Sequence, residues 1–524
     1  MKVEYICHAC LLIDTGDIRI ITDPWFSGPA YCGQWHVFPK PVDTGVLKTA
    51  DVILISHGHE DHLHEESLRL LPKSARVFYP FSWFGGTKKY LRALGFRDVQ
   101  EAVTFKTYRL TKKSSVTFIA NTHDNIIVIE SDGRVLVNAN DALHSYPKPV
   151  IDFYIDSLRA EWPQVAALFC GFGGASYFPN AVHVEGKNDW EIGKVREQFF
   201  AHNFCHIVSG LKPKVAVPFA ADFALLAPAQ RWINEVRFPR SGMKTYYQRY
   251  FAKDRDETDI FDMYPGDSLE DCKLRTESPY RNELKEGGLN HLIDEQYKDE
   301  IARLSEMDFI SESDAARLGE EIRENIDFRA ALFDPETLSR LKFCLRVSDV
   351  EASNLYNISI KNGHAQVERG DAPAPQCLLI MSTSSKVLRH SFGSEWGGDA
   401  IFIGYACEIE LLDRRAAKEN LDVTCVNLLT RYPTTRSSLK RDPLRALEYL
   451  IRNPVRRALA LRRLKPLLNE GVNFDRSTWL LRDPREVREL CGLPEFDDAS
   501  QPQTQKAASA RATELPQNSR LPSD

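Results

Sequence analysis

The stretch that decides the fold is Asp51-Val-Ile-Leu-Ile-Ser-His57-Gly-His59-Glu-Asp61-His62-Leu-His64. The apolar, branched run at 52–55 predicts a short buried strand, and the apolar spacing at 65–71 predicts an amphipathic helix. The turn between them places His57, His59, Asp61 and His62 within six positions. Buried without partners, these side chains would each cost roughly a few kcal/mol. A metal removes that cost, because neutral imidazoles donate lone pairs and the carboxylate supplies charge. The stretch therefore predicts a metal site.

The composition predicts an ordinary soluble protein of more than one domain. The chain has 524 residues, of which 43% are hydrophobic and 27% are charged, with a net charge of -6. These values do not indicate attraction of the whole molecule to nucleic acid or to an anionic membrane. We find no apolar run of about 18 residues and no apolar signal core at the N-terminus. Eleven scattered cysteines, an odd number, favour a reducing compartment, so we expect a cytoplasmic protein.

Polar residues follow several of the predicted strands. The strands in question are 116–120, 126–131 and 134–137. His123 lies just past the first of these strands and Asp141 lies past the last. Loops at strand ends are where α/β scaffolds gather functional groups. Asp23 ends an earlier strand, where it is either a turn former or a carboxylate that orients a ligand histidine.

The motif His57-x-His59-x-Asp61-His62 after a hydrophobic strand resembles the metal-binding signature of the metallo-β-lactamase superfamily. The resemblance implies an α/β fold of the αββα sandwich type. It also implies that the first two histidines hold one metal, and that the aspartate and last histidine hold a second. His123 and Asp141 stand at the spacing where the superfamily places its third histidine and its bridging carboxylate.

One position departs from the superfamily pattern. The superfamily often has Pro-x-His at a later strand end, where the histidine is the last ligand of the second metal. This chain has Pro218-Phe-Ala220 instead. Either the site lacks one protein ligand, or Asp222 turns inward to replace it.

Several further stretches resemble the catalytic module of the CMP-N-acetylneuraminate hydroxylases. They are His8-Ala-Cys-Leu, Asp23-Pro-Trp-Phe-Ser-Gly-Pro-Ala30, Phe172-Gly-Gly-Ala-Ser176, Pro218-Phe-Ala220 and Ile403-Gly-Tyr405. That family also has alanine after Pro-Phe, and it carries a Rieske iron–sulfur domain with C-x-H and C-x-x-H elements. This chain contains no C-x-H element. If it is an oxygenase, we expect its electrons to come from a separate ferredoxin or Rieske-type donor.

The patterns divide the chain into five expected parts. These are a metallo-β-lactamase-like catalytic domain at 1–235, a charged helical segment packing on it at 236–334, a smaller α+β domain at 335–425, a basic helical segment at 426–498 and a disordered tail at 499–524. The α+β domain loosely resembles a sterol-carrier-type domain. The basic face at 426–498 is either a solvated surface or a docking site for an acidic partner.

Three functions are compatible with these observations. The first is a non-haem diiron oxygenase, because the oxygen-rich second site suits iron that must bind O2. The second is a zinc- or manganese-dependent hydrolase of a phosphoester, lactone or amide, in which metal-bound water attacks the substrate. The third is a non-catalytic binding protein, although open metal positions argue against it.

Each candidate residue has an expected role. The expected metal ligands are His57, His59, Asp61, His62, His123, Asp141 and Asp222, of which Asp61 and Asp141 are also the expected catalytic groups. Asp23 and His8 are expected to support the ligands. The candidate substrate-pocket residues for a small-molecule substrate are Trp25, Tyr177 and His183.

Overall fold

A computed structural model describes residues 1–495 apart from 82–85, 122–123, 175–176, 253–256, 305–307, 435–436, 438–439, 453–458 and 469–475. The expected third histidine, His123, and the expected tail at 499–524 therefore lie outside the described residues. Within the described part, no helix is both long enough and apolar enough to cross a membrane.

The strands are numbered in chain order. They are β1 Lys2–Cys7, β2 Cys10–Asp14, β3 Arg19–Thr22, β4 Trp35–Val37, β5 Val52–Leu54, β6 Arg76–Pro80, β7 Val99–Ala102, β8 Thr107–Arg109, β9 Ser114–Ala120, β10 Asn125–Ser131, β11 Arg134–Asn140, β12 Ala167–Gly171, β13 Val182–Val184, β14 Val215–Phe219, β15 Phe223–Leu225, β16 Asp259–Ile260, β17 Ser268–Glu270, β18 Lys273–Arg275, β19 Lys342–Val347, β20 Leu355–Lys361, β21 His364–Gly370, β22 Leu379–Thr383 and β23 Glu408–Leu411.

The α-helices are numbered in the same way. They are α1 Glu65–Leu70, α2 Thr87–Ala93, α3 Lys148–Glu161, α4 Tyr177–Asn180, α5 Asp189–Leu211, α6 Trp232–Val236, α7 Met243–Tyr250, α8 Arg281–Lys285, α9 Leu289–Gln296, α10 Lys298–Leu304, α11 Glu312–Ala330, α12 Pro335–Ser339, α13 Ser385–Gly393, α14 Asp399–Phe402, α15 Arg414–Lys418, α16 Leu421–Leu428, α17 Pro443–Arg452, α18 Lys465–Leu468, α19 Arg476–Leu481 and α20 Pro484–Leu490. Short 3₁₀ helices lie at Gly45–Thr49, Pro228–Gln230 and Arg240–Gly242, and a π-helix at Leu459–Leu464.

Two large sheets form a sandwich. One has the order β18-β17-β1-β2-β3-β5-β6-β7 and the other β16-β14-β12-β11-β10-β9-β8. Alternate residues of each strand point to opposite faces. Ile127 and Ile129 of β10 therefore join the core between the sheets, with Leu11 and Leu54 from the facing sheet. This arrangement confirms the expected sandwich.

Helices cover both outer faces of the sandwich. Ile126 and Val128 of β10 point outward and share a second core with α3 and α5. Leu68 of α1 and Leu91 of α2 belong to a third core on the outer face of the other sheet. The layers therefore follow the order α, β, β, α that the sequence predicts.

A third sheet of six strands extends the outer core beyond the sandwich. Its order is β13-β23-β22-β19-β20-β21, so it combines strands from 342–411 with one strand from 182–184. The same core holds Ile53 of β5 and Leu345 of β19. The C-terminal unit is thus packed directly on the sheet that carries the metal motif.

The segment 236–334 supplies strands as well as helices. β17 pairs with β1, and β16 pairs with β14. The segment expected to be mainly helical therefore extends both sheets of the sandwich at their edges.

The site-bearing strand ends lie at a common edge of the sandwich. β3, β5 and β6 run parallel to one another, and so do β11, β12 and β14. Asp23 follows β3 and His57 follows β5 in one sheet, whereas Asp141 follows β11 in the other. The carboxyl ends of parallel strands are where ligands bind in open α/β sheets.

Candidate metal centre

The loop after β5 folds into a compact turn that carries the motif. The N–H of Ser56 donates to Asp23 Oδ1 (2.7 Å), and its carbonyl accepts from Asn125 Nδ2 (2.9 Å). These hydrogen bonds tie the loop to both sheets. The N–H of His62 donates to the carbonyl of His59 (3.0 Å), which closes the turn. The motif side chains are thereby held together at the sandwich edge.

The first ligand group contains His57, His59 and Asp124. Nε2 of His57 lies 2.8 Å from Nδ1 of His59 and 3.8 Å from Oδ1 of Asp124. Ligand atoms of all three lie within 4.8 Å of one another, which is compatible with one metal ion. Sequence reasoning missed Asp124. The only signal for it was its place beside His123, just past β9.

The second ligand group lies around His62. Its Nε2 is 3.5 Å from Oδ2 of Asp61 and 3.3 Å from Oδ2 of Asp141. His57, His62 and Asp141 also have ligand atoms within 4.8 Å of one another, as do His8, Asp61 and His62. The described ligands expected from the motif and from Asp141 are thus all brought together.

Two expected supporting residues contact the ligands. Oδ2 of Asp23 lies 3.1 Å from Nδ1 of His62, so Asp23 can fix the tautomer and orientation of that ring. Nε2 of His8 lies 3.0 Å from Oδ2 of Asp61. A third contact was not predicted from the sequence. In it, the hydroxyl of Tyr31 donates to Oδ1 of Asp61.

The charges in the cluster favour a bound cation. Burial, followed by neighbouring imidazoles, lowers the pKa of His57 well below its usual value, which leaves the ring neutral with a lone pair to donate. Burial alone would lower the pKa of His62, but three carboxylates outweigh it and raise that pKa. They belong to Asp61, Asp23 and Asp141. Carboxylates packed around one imidazole need a proton or a metal ion between them.

Buried atoms without partners fit a metal in the same place. Nε2 of His62 and Oδ1 of Asp141 are buried, and within the described ranges neither makes a hydrogen bond of good geometry, although two carboxylate oxygens lie 3.3 and 3.5 Å from that nitrogen. His62 is 0% exposed and Asp61 is 3% exposed. Buried polar atoms are normally hydrogen-bonded, and a metal ion would satisfy these atoms as ligands. The donor set of imidazole and carboxylate suits iron, zinc or manganese.

The expectation that Asp222 replaces the missing ligand is corrected. Its carboxylate accepts from Arg240 Nη2 (2.5 Å) and from the hydroxyl of Tyr5. Among the described residues, no group with metal-binding geometry includes it. Ala220 itself is in the left-handed region (φ 57°), and its N–H donates to the carbonyl of His8 (3.2 Å). The Arg240 ion pair satisfies Asp222, so it does not need a metal.

The expected substrate-pocket residues do not line the cavity found at the strand ends of the second sheet. Trp25 is fully buried, with its ring edge-on to His8. Tyr177 packs on Phe402, and His183 binds Asp189 (2.6 Å). Trp25 and Tyr177 are buried by these contacts, and the partly exposed His183 is held by its carboxylate partner.

A cavity of about 430 Å³ lies beside the strand ends of the second sheet. Its lining includes Phe172, Gly173, Glu197, Ala221, Asp222 and Arg237. Burial raises the pKa of Glu197 to about 7. The carbonyl of Gly173 in the cavity lining accepts from Nε2 of His144 (2.7 Å), so one hydrogen bond connects the cavity wall to the loop that carries Asp141. Sequence reasoning also missed His144, whose ring fills the space a Cβ would need at Gly171.

Comparisons with known proteins agree with this geometry. Residues 2–150 match the family model described as a β-lactamase superfamily domain. Cytidine monophosphate-N-acetylneuraminic acid hydroxylase of Danio rerio is 27% identical over 257 residues, which are 46% of this chain and 41% of that protein. A protein of Mycobacterium tuberculosis named as a Rieske 2Fe-2S iron-sulfur protein is 27% identical over 248 residues, 45% of this chain and 46% of its own length. The chain thus spans less than half of these relatives.

The solved structures that match part of this chain include one named as a hydroxylase and one named as a hydrolase. CmlA, a diiron β-hydroxylase from Streptomyces venezuelae, has a TM-score of 0.34 at 18% identity, covering 50% of this chain and 52% of its own. The isothiocyanate hydrolase from Delia radicum gut bacteria has a TM-score of 0.35 at 14% identity, covering 52% of this chain and 98% of its own. The motif geometry agrees with the match of residues 2–150 to a β-lactamase superfamily domain.

Proposed function

We propose that the chain is a dinuclear non-haem diiron oxygenase that hydroxylates a small metabolite with electrons from a separate donor. His57 and His59 would hold one iron, together with Asp124 or His123. Asp61 and His62 would hold the other, and Asp141 would lie between the two. The observation that carries the proposal is the composition of the second site, in which His62 stands among carboxylates.

The donor chemistry favours iron at that second site. Hard carboxylate oxygens and open positions suit an ion that must accept O2. A superfamily histidine would stand at Ala220, and the side chain there provides no ligand atom. With Asp222 engaged by Arg240, the second ion would keep open positions.

The named relatives support hydroxylation. The curated relatives reported above include a hydroxylase and a Rieske-type protein, each matched over less than half its length. Insertion of one oxygen atom from O2 takes two electrons and two protons, and the other oxygen atom leaves as water. These 524 residues contain no C-x-H element of the Rieske type. We therefore propose a ferredoxin or Rieske-type protein as the electron donor.

The chain's own residues would position the ligands and the substrate. Bound iron would supply the redox chemistry with O2. Asp23 would hold the His62 ring, while His8 and Tyr31 would hold Asp61. The cavity that contains Glu197 would receive the substrate.

The test is metal loading under anaerobic conditions. Protein reconstituted with ferrous iron is expected to hold two irons per chain and to consume O2 only when a reductant is present. His62→Ala should lose one iron and the O2 uptake. His364→Ala is the matched control, because that side chain is 74% exposed and remote from the motif. A wild-type protein that binds zinc only and does not react with O2 would contradict the proposal.

The family match favours a second candidate, a metallo-hydrolase. The matching model describes a β-lactamase superfamily domain. Zinc or manganese at the same ligands would acidify water to a pKa of about 7. Asp61 or Asp141 would then orient that water toward a phosphoester, lactone or amide. Turnover of a generic phosphodiester or ester without any reductant, lost in His62→Ala, would favour this candidate over the oxygenase.

A further inference from the structure

Tyr31 is fixed at both of its ends by consecutive residues of the metal motif. Its backbone N–H donates to Oε2 of Glu60 (2.7 Å), and its hydroxyl donates to Oδ1 of Asp61. The side chain is 0% exposed. Its backbone is in the left-handed region (φ 54°), which a non-glycine residue rarely adopts without other contacts that impose it. Tyr31 thus holds the motif loop through two hydrogen bonds, one from its backbone and one from its side chain.

The two carboxylate oxygens of Asp61 have different partners. Oδ1 accepts from Tyr31, whereas Oδ2 faces Nε2 of His62 at 3.5 Å and Nε2 of His8 at 3.0 Å. A carboxylate can bind a metal through one oxygen or through both. Oδ1 is engaged by a hydroxyl, so Oδ2 is the oxygen of Asp61 that faces the neighbouring ligand ring.

The C-terminal unit holds Tyr31 in this position. Gly404 lies between α14 and β23, and a Cβ there would be 2.5 Å from the Cβ of Tyr31. The N–H of Gly404 donates to the carbonyl of Asp399 (2.9 Å), whose carboxylate accepts from Tyr432 (2.7 Å). Because Gly404 has no Cβ, its backbone can lie directly against Tyr31.

Aromatic packing also holds the Tyr31 ring in place. The Tyr31 ring meets Trp35 edge to face, with centroids 4.9 Å apart, and Trp35 also contacts Tyr405 at 6.0 Å. The hydroxyl of Tyr405 donates to the carbonyl of Gly174 (3.4 Å), beside the cavity. The segment 399–405 thus connects the third sheet to Tyr31 and to the cavity wall.

From these contacts we propose that Tyr31 is a positioning residue that keeps Asp61 a one-oxygen metal ligand, and that the C-terminal unit maintains it through Gly404. The inference rests on the proposed metal site. One-oxygen binding by Asp61 leaves a coordination position open for an external ligand. The C-terminal unit is then part of the metal centre, although it supplies no ligand atom among the described residues.

The test uses azide as an external ligand for the iron-loaded full chain. Tyr31→Phe removes only the hydroxyl, which frees Oδ1 of Asp61 to chelate the same ion. It should keep two irons per chain but bind azide about tenfold more weakly in an absorbance titration, the scale of one lost hydrogen bond. The optical spectrum of the iron should change as well. Tyr356→Phe is the matched control, because this tyrosine of the third sheet donates its hydroxyl to the carbonyl of Ala315 in α11 (2.8 Å).

A second variant tests the contribution of the C-terminal unit. Gly404→Ala should displace Tyr31 and weaken azide binding in the same direction as Tyr31→Phe. Gly393→Ala is its control, since a Cβ there meets nothing within 4 Å. Two irons with unchanged azide affinity in both test variants would overturn the inference while leaving the metal site intact. A wild-type chain without metal would instead overturn the ligand assignment, and the inference with it.

Discussion

At the residue scale, Asp23 is the carboxylate that faces Nδ1 of His62 and supports the orientation of its ring. Oδ2 of Asp23 lies 3.1 Å from Nδ1 of His62 in a fully buried setting. Loss of such a partner typically costs 10- to 100-fold in metal affinity. We therefore expect Asp23→Asn to weaken binding of the second ion by about that factor, measured by competition with a chromophoric chelator. Asp98→Asn, a change at an exposed carboxylate, is the control. Equal affinities for both variants would rule out this role for Asp23.

The buried Glu197 gives the stability of the protein a pH dependence. Burial raises its pKa from 4.5 to about 7, so the folded state retains the proton over that interval better than the unfolded state. Its contribution to stability is complete below about pH 4.5 and is lost as the pH rises through about 7, a change of roughly 3 kcal/mol. Glu197→Gln should abolish that loss.

The measurement is urea unfolding at a series of pH values. The free energy of unfolding of wild type relative to Glu197→Gln should fall between about pH 4.5 and pH 7. The exposed Glu161→Gln should follow wild type throughout. A constant difference between wild type and Glu197→Gln would show that Glu197 does not titrate in this way.

The sequence predicted the ligands that belong to one local motif. It did not predict the contacts that depend on packing between distant parts of the chain. His57 and His62 belong to one short loop, so their convergence follows from spacing. Tyr31 reaches Asp61 through a left-handed backbone and a glycine about 370 residues away in the chain. Asp222 pairs with Arg240 because the arginine is brought from a later turn. A one-dimensional pattern does not contain these long-range contacts.

At the scale of elements, one buried carboxylate fixes the turn between Tyr264 and the start of α8. Asp267 is 0% exposed. It accepts from the N–H groups of Tyr264, Glu277 and Ser278, each at 2.9 Å, and forms an ion pair with Arg281. This turn carries β17 and β18 to the edge of the first sheet. The turn therefore depends on the Asp267 carboxylate.

We expect Asp267→Ala to be strongly destabilising. The change leaves three N–H groups without their acceptor and Arg281 without its buried partner, which typically costs about 3–5 kcal/mol. Urea unfolding measures the loss, and amide exchange should show reduced protection in β17. Asp259→Ala removes an exposed ion pair with Lys244 and should cost less than about 1 kcal/mol. Similar losses for the two variants would contradict the account of this turn.

Local patterns predicted the elements well where side-chain alternation and turn chemistry agree. The turn at Asp132-Gly133 has φ values of 48° and 73°, as expected for a two-residue hairpin. The strand expected to end at 137 continues to Asn140, because pairing with β12 extends it. β13 and β17 were not predicted, since each is only three residues long and is defined by its neighbours. Short edge strands depend on tertiary pairing rather than on sequence period.

At the scale of the whole molecule, metal binding should stabilise the fold. The ligands come from loops of both sheets, and the unfolded chain does not hold them together. An ion at 100 times its dissociation constant contributes about 2.7 kcal/mol. Removal of the metal with a chelator should therefore lower the free energy of unfolding, measured in urea, by at least about 2.7 kcal/mol. Added iron should restore it. In His62→Ala, the free energies of unfolding of the chelated and the metal-loaded protein should differ by less than they do in wild type. Identical unfolding curves with and without metal would contradict a tightly bound centre.

Two of the five parts expected from the sequence, 1–235 and 335–425, share one hydrophobic core in the structure. Composition changes near 335 from charged helical patterns to strands, which marks the start of the third sheet. The core containing Ile53 and Leu345 crosses that boundary, and β13 from the N-terminal half pairs with β23. Such shared burial depends on which faces meet in space, and a single sequence does not specify this.

The most direct test of the central claim is a count of metals combined with O2 uptake. Protein purified anaerobically and loaded with ferrous iron should contain two irons per chain and consume O2 in a reductant-dependent manner. Asp141→Asn should reduce both quantities, because Asp141 lies within ligand distance of His62. A chain that retains no transition metal, or that holds only zinc and leaves O2 unconsumed, would contradict the account.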